Sequence, residues 1–392
     1  MTRMQALRRH STLAKTGDTY SRPIVPSRLG IGPISKNVID AAIRLAHRRR
    51  HHVMLITSRA QVDSAELGCG YVEGWSTELL ARYIRARDRC GLVMICRDHG
   101  GPWQHPREVS CALDEAGAMD RSLVSLRCDI ASGMRILHLD TSREASGRAH
   151  FDAAVRRLIE LYGECHEYAA SLGRKVAFEI GIESQSRHVD DAARFGSQLE
   201  CILGRLREAA LPQPTFAVAQ TGTLVIGMRN RGMLAEHPRR TARKVRELAE
   251  RCWEHGVALK AHNVDYLTCS AVRELVRGGA DALNLAPEFG VVESLAFLTL
   301  LQELRLNQER DEFMQLAYDS GGWCKWFCGD HGTDEERSIV AGHYVFASDE
   351  FRDVKQRAET ACRKRQAGTV DGVLGAALDH ALDRYAATIW PA

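Results

Sequence analysis

Short apolar runs, several rich in β-branched residues, alternate along the chain with longer stretches whose apolar positions recur every three or four residues. The short runs fall at Arg28–Gly32, Val53–Thr57, Leu92–Cys96, Arg135–Asp140, Lys175–Ile180, Thr215–Ala219, Val257–Ala261 and Asp281–Ala286. The longer ones include Lys36–Arg49, Thr77–Cys90, Phe151–Leu172, Ala192–Ala209 and Arg239–His255. Several of these end in glycine (Gly91, Gly173, Gly256, Gly278–Gly279), where a helix C-cap wants a residue tolerant of positive φ. Eight strand–helix units in about 280 residues predict an α/β fold, a (β/α)8 TIM barrel. A doubly wound open sheet is the alternative, but no Gly-rich dinucleotide loop follows the first strand. After about Leu306 the pattern changes. Gly321–Gly332 is dense in Gly, Trp and Cys, and Val354–Tyr385 reads as one or two amphipathic helices. The predicted division is residues 1–305 as the barrel with an N-terminal lead-in, and 306–392 as a C-terminal helical extension packed on it.

The balance of 53 Lys and Arg against 50 Asp and Glu leaves a formal charge of +3 with no long basic run, so neither a nucleic-acid partner nor a membrane is expected. No apolar stretch approaches the roughly 18 residues that span a bilayer, and Met1–Arg22 lacks the apolar core of a secretory signal. The 12 cysteines are spread singly rather than in small-scaffold spacing, which reads as reduced thiols in a cytoplasmic protein. Cys324, Cys328 and His331 mimic zinc spacing, but the aromatic residues among them favour a packing segment.

In a parallel barrel the C-terminal ends of the strands share one mouth, so residues distant in sequence converge there. Read in order, those ends carry Ser58 and Gln61, Asp98 and His99, His138 and Asp140, Glu179 and Glu183, Gln220, His262 with Asp265, and Asn284 with Glu288. Burying so many polar groups without partners would cost several kcal/mol, about 2 or more each. His138 and Asp140 are two apart and share a strand face; His138 by itself reads as a hydrogen-bonded core histidine. Glutamate inside an apolar strand, as at Glu179, needs a cation, a metal or a proton, and Lys260 is a candidate partner. His99, His262 and a carboxylate from Glu183 or Asp140 make an N/N/O set suited to a catalytic Zn2+ with an open position.

Several blocks resemble a known family: TSRAQVDSAELGCGY from Thr57, DHGGP from Asp98, ILHLDTS from Ile136, IGIE from Ile180, QTG from Gln220, AHNVDY from Ala261 and GGWCKWFCGDHGTDEE from Gly321. In order and spacing they are similar to the accessory, non-catalytic subunit of class II D-tagatose-1,6-bisphosphate aldolase. The resemblance implies a barrel related to zinc-dependent class II aldolases. It also implies that Asp98 handles the aldehyde-side oxygen and His99 binds zinc, with His262 matching a seventh-strand histidine. The family's sixth-strand histidine is replaced by Gln220. After the eighth strand, APEFGVVES places Ser294 where an arginine suited to an anionic sugar is expected, and Glu288 adds negative charge.

Two functions follow as expectations. The first is a metal-dependent class II aldolase-like lyase that makes or breaks a C–C bond in a sugar or sugar phosphate through a Zn-stabilised enediolate. His99, Glu183 and His262 would hold the metal. Asp98, Glu179 and Asp140 would handle protons, and Ser58, Gln61, Gln220, Asn263, Asp265, Asn284 and Glu288 would contact substrate. The second is a non-catalytic subunit that stabilises a separate tagatose-bisphosphate-type aldolase partner. A homo-oligomer is expected in either case.

Overall fold

The computed structural model describes residues 20–181, 186–327 and 332–390. Its centre is a closed parallel barrel of eight strands: β1 (Leu29–Ile31), β2 (Val53–Ser58), β3 (Val93–Asp98), β4 (Ile136–Leu139), β5 (Ala177–Gly181), β6 (Phe216–Val218), β7 (Ala258–Ala261) and β8 (Ala282–Leu285). Each strand pairs with its sequence neighbours, and β1 pairs with β8 to close the ring. A helix follows every strand: α1 (Lys36–Arg49), α2 (Thr77–Arg87), α3 (Glu115–Ser132), α4 (Phe151–Ser171), α5 (Ala192–Glu208), α6 (Pro238–Trp253), α7 (Cys269–Arg277) and α8 (Pro287–Glu303). The expected (β/α)8 barrel is the observed one, with ends moved by a residue or two.

Alternation along the strands decides what faces the barrel axis. Met54, Ile56, Met94, Cys96, Ile136, Phe216, Ala258 and Ala282 form one buried cluster inside it. Two residues further along the same strands, or four, the inward positions become Asp98, His138, Asp140, Lys260, His262 and Asn284; Glu179 follows Ala177, which packs on that cluster. The barrel thus has an apolar floor and a polar upper half. Its outward residues, such as Leu55, Leu137, Ile180, Leu259 and Leu283, join the apolar faces of the helices in the main core.

Beyond α8 the chain forms α9 (Asn307–Asp319), a 3-10 turn at Gly322–Lys325, α10 (Asp334–Ala341), α11 (Asp349–Arg365) and α12 (Val370–Ile389). Phe297, Leu301, Phe313, Phe351, Val354 and Leu374 centre a second apolar cluster that ties α9–α11 to α8. In α12, buried Leu374, Leu378, Leu382, Tyr385 and Ile389 recur at helical spacing. Leu378, Leu382, Tyr385 and Ile389 enter the main core, so α12 packs directly on α1 and α8. Each such buried side chain contributes about 1.5–3 kcal/mol. Rim pairs such as Arg44–Asp379 and Arg48–Asp383 are half exposed and add little. No helix among the described residues is long and apolar enough to cross a membrane.

Candidate metal centre at the barrel mouth

β3 delivers Asp98 on its inward face, and the next residue should by alternation point outward. Instead His99 adopts φ 47°, a conformation unusual for a side-chain-bearing residue, and its ring turns back toward the mouth. The glycines that follow let this turn lie against β4: a Cβ on Gly101 would sit 1.9 Å from the Asp140 carbonyl oxygen. Behind the turn, Arg97 is pinned by two bonds to Asp129, at 2.7 and 2.6 Å, and donates to the carbonyls of Thr57 and Val62.

Asp98, His99, His138 and His262 converge, with one ligand atom from each lying within 4.8 Å of all the others. The three imidazoles stand 4.9 to 5.3 Å apart between centroids. His99 Nδ1 lies 2.6 Å from Asp140 Oδ2, leaving Nε2 directed toward Asp98 Oδ2 at 3.8 Å. His138 Nδ1 accepts the His99 backbone N–H at 3.2 Å and lies 3.3 Å from Asp98 Oδ1. Its Nε2 is buried without a hydrogen-bond partner among the described residues. That atom fits against β5 because position 181 is glycine; a Cβ there would come within 2.4 Å of it. Beneath the histidines, Glu179 receives the Lys260 ammonium on Oε2 at 2.5 Å and faces His262 Nε2 across 3.2 Å on Oε1.

The electrostatics follow from this layout. Burial opposes the charge on His99, but Asp98 and Asp140 outweigh it and raise the imidazole to about 9. Burial would likewise raise the carboxyls. The His99, His138 and His262 rings overcome it at Asp98, and His99, with His138 and Ser142, at Asp140, so both sit well below the usual carboxylate range. Glu179 is drawn down to about 2, its burial overcome by Lys260 and then by His138 and His262. Of the three carboxylates only Glu179 meets a fixed cation, Lys260, and protonated imidazoles or a divalent cation would balance Asp98 and Asp140. Three imidazole nitrogens, one imidazole oriented through its far nitrogen by Asp140, are a donor set that fits a divalent metal.

Against the expected site, Asp98, His99, Asp140, Glu179 and His262 come together, and Glu183 lies outside the described residues, as do Cys328 and His331. His138 is the donor that sequence reasoning set aside, although its alternation with Asp140 placed it on the inner face. Gln220 Oε1 accepts the N–H groups of Gly222 and Thr223 at 2.9 Å each and shapes the loop after β6. Gln61 Oε1 accepts the Ser58 N–H at 2.8 Å. Asn284 is buried beside Gly30, with neither side-chain atom paired among the described residues. Asn263 is half-buried at φ 54°, immediately after His262. Asp265 and Glu288 are engaged within the protein: Asp265 Oδ1 accepts from the N–H groups of Ala286 and Glu288, and Glu288 is held by Tyr266 N–H, Arg384 and Tyr385.

The sequence matches no protein-family model and no curated protein. Solved structures match along nearly its whole length. A probable tagatose 6-phosphate kinase from Sinorhizobium meliloti 1021 is 20% identical, with a TM-score of 0.69 over 92% of this chain and 100% of that one. A fructuronate-tagaturonate epimerase from Cohnella laeviribosi is 13% identical, with a TM-score of 0.54 over 95% and 84%. The fructose-bisphosphate aldolase of Campylobacter jejuni is 12% identical, with a TM-score of 0.50 over 92% and 90%. The likeness is one of fold, a TIM barrel, and the barrel of this chain carries a His/Asp cluster capable of coordinating a divalent metal.

Proposed function

We propose that the chain is a metal-dependent, class II aldolase-like lyase that forms or cleaves a C–C bond in a sugar or sugar phosphate. The observation that carries this reading is the convergence of Asp98, His99, His138 and His262 at the barrel mouth above the Glu179–Lys260 pair. The imidazoles of His99, His138 and His262 would hold a divalent cation, Zn2+ by the preference of such a donor set, leaving the Asp98 carboxylate beside it for substrate. Bound there, the cation supplies Lewis-acid polarisation of a substrate carbonyl. The protein's own groups divide the remaining work. Asp98 is the most accessible of the three carboxylates, its side chain 15% exposed against 5% for Asp140 and 1% for Glu179. It is therefore the group placed to exchange a proton with a substrate hydroxyl. Asp140 fixes the orientation of His99, and Glu179 with Lys260 supports His138 and His262 from below.

One observation favours the second reading, an assembly subunit that stabilises a separate aldolase of the tagatose-bisphosphate type. The Gln220 carboxamide oxygen, at the position where the resembling family has its sixth-strand histidine, accepts two N–H groups of its own loop. Elemental analysis of the purified chain, with His99→Ala beside it, separates the two readings. About one zinc per chain, lost in the variant, together with cleavage of a ketose phosphate, supports the lyase. A chain that takes up no metal after incubation with Zn2+ supports the assembly subunit.

A further inference from the structure

In many TIM barrels an anionic substrate group binds between the loops after the seventh and eighth strands, at a helix N-terminus. Here that place is filled from within. Asp265 Oδ1 accepts the Ala286 and Glu288 N–H groups at 2.9 and 3.0 Å, and the Glu288 carboxylate takes the Tyr266 N–H at 2.5 Å together with Arg384 and Tyr385 of α12. The N–H groups at the start of α8 are thus taken by carboxylates of the protein itself, and this side of the mouth does not offer them to an anion.

The opposite side is cationic. β4 stands across the barrel from β8, and its following loop carries exposed Arg143 on a two-stranded ribbon, Arg143–Glu144 with Gly147–Arg148. The C-terminal extension brings a second cation. Its 3-10 turn, Gly322–Lys325, is fastened over the loop that follows β6: Gly227 N–H donates to the Trp326 carbonyl at 2.8 Å, and Phe327 packs on Gly227. Trp326 Nε1 donates to the Tyr344 hydroxyl at 3.1 Å, and Tyr344 stacks obliquely on Tyr71 of the β2 loop, 4.9 Å between ring centroids. Lys325, with its Nζ 4.7 Å from the Trp326 ring centroid, is thereby held in the electrostatic field of Asp98 and Arg143. Its side chain is exposed to solvent. Among the described residues, neither side chain has an ion-pair partner.

We infer that Lys325 and Arg143 form an anion-recognition subsite that takes a terminal phosphate or carboxylate of a sugar whose reacting carbons lie at the histidine cluster. The inference rests on the lyase reading only for where the reacting carbons sit. It gives the extension a role in the site: the turn over the mouth supplies a specificity residue that no barrel strand carries. Charge-assisted hydrogen bonds of this kind discriminate by about tenfold or more.

The test is calorimetric binding of glycerol 3-phosphate, D-glycerate and glycerol to the full-length, zinc-incubated protein at low salt. At least one of the two anions should bind about tenfold or more tightly than glycerol. The tighter of them identifies the subsite as one for phosphate or for carboxylate. Lys325→Met and Arg143→Met should each remove most of that preference, and Lys325→Arg should retain it. Lys364→Met, far out on α11, should leave it unchanged. Lys325 makes no ion pair among the described residues and only a cation–π contact with Trp326, so its variants should melt within about 2 °C of the wild type, and a loss of binding is not a loss of fold. Equal affinity for glycerol and both anions, or an undiminished preference in Lys325→Met, overturns the inference. Binding is read without turnover. A chain without metal or lyase activity that still prefers anions through Lys325 refutes only the lyase reading.

Discussion

Replacing Lys260 by Met tests whether the polar upper half of the barrel is held by charge balance. The substitution keeps the length of the side chain and its packing over Phe216, whose ring centroid lies 5.0 Å from the ammonium. It removes the fixed cation 2.5 Å from Glu179, a residue 1% exposed. A buried carboxylate stripped of its partner destabilises a protein by about 3 to 5 kcal/mol. With an unfolding entropy near 2.1 cal/mol/K per residue, a chain this long loses about 4 to 6 °C of melting temperature for that amount. Glu179→Gln in the same chain should restore most of the loss. It leaves no charge to compensate, and a carboxamide oxygen can still face His262. The assay is urea unfolding of the two single variants and the double variant, each in excess chelator so that metal binding does not enter. If Lys260→Met loses less than about 1 kcal/mol, or the double variant is no more stable than Lys260→Met, the charge-balance account is wrong.

Three further outcomes are expected. Asp140→Asn should weaken metal binding about 10- to 100-fold with little change in fold, because it loosens the tautomer and orientation of His99; competition with a chromogenic chelator measures it. Gly181→Ala should drive a methyl into His138 Nε2, lowering stability by about 1 to 3 kcal/mol and displacing the ring; metal affinity that survives unchanged would show that His138 is not a ligand. Glu293, 2% exposed and bonded to Ser35 and Asn37 at 2.5 and 2.8 Å, has its carboxyl pushed by burial from 4.5 up to about 7. The folded protein then keeps a proton that the unfolded chain releases, so the contribution of Glu293 to stability should be full below about pH 4.5 and fall by on the order of 3 kcal/mol as pH rises to 7. The slope of urea midpoints across that window should shrink in Glu293→Gln, the remainder belonging to Asp265, which burial and Glu288 also raise to about 7; an unchanged slope would refute the assignment to Glu293.

The barrel was legible because its signal is periodic and local. Each strand is a short apolar run followed by a helix with a three-and-four repeat, and the tertiary fold changed only the ends, as where Thr77–Cys90 stops at Arg87. Much of the mouth was legible for the same reason, since strand ends in a parallel barrel must meet and Asp98, Asp140, Glu179 and His262 all lie on inward positions. What sequence could not supply was the direction of the non-repetitive residues. His99 reaches the cluster through a left-handed backbone conformation, which no alternation pattern predicts. Glu288 looked like a substrate contact because nothing local announces that Arg384 and Tyr385, nearly a hundred residues on, bond to it.

His138 shows how the two kinds of information combine. Its chemistry alone is ambiguous: a histidine on an apolar strand is commonly a satisfied core residue. Its register settles which neighbours it has, for it pairs across from Glu179 and lies beside Gly181. Glu179 and Asp98 bring negative charge to one ring nitrogen, while the missing side chain at 181 leaves room for the other, which finds no partner among the described residues. A core histidine would be expected to have both nitrogens satisfied, because an unpaired buried polar atom lowers stability by about 1 to 3 kcal/mol. The glycine that admits the ring and the carboxylates around it place His138 in the cluster at the mouth, where Nδ1 and not the unmet Nε2 is the nitrogen that lies 3.3 Å from Asp98 Oδ1. The same register argument explains why Lys260 and Glu179, each improbable alone inside a barrel, occur together directly beneath it.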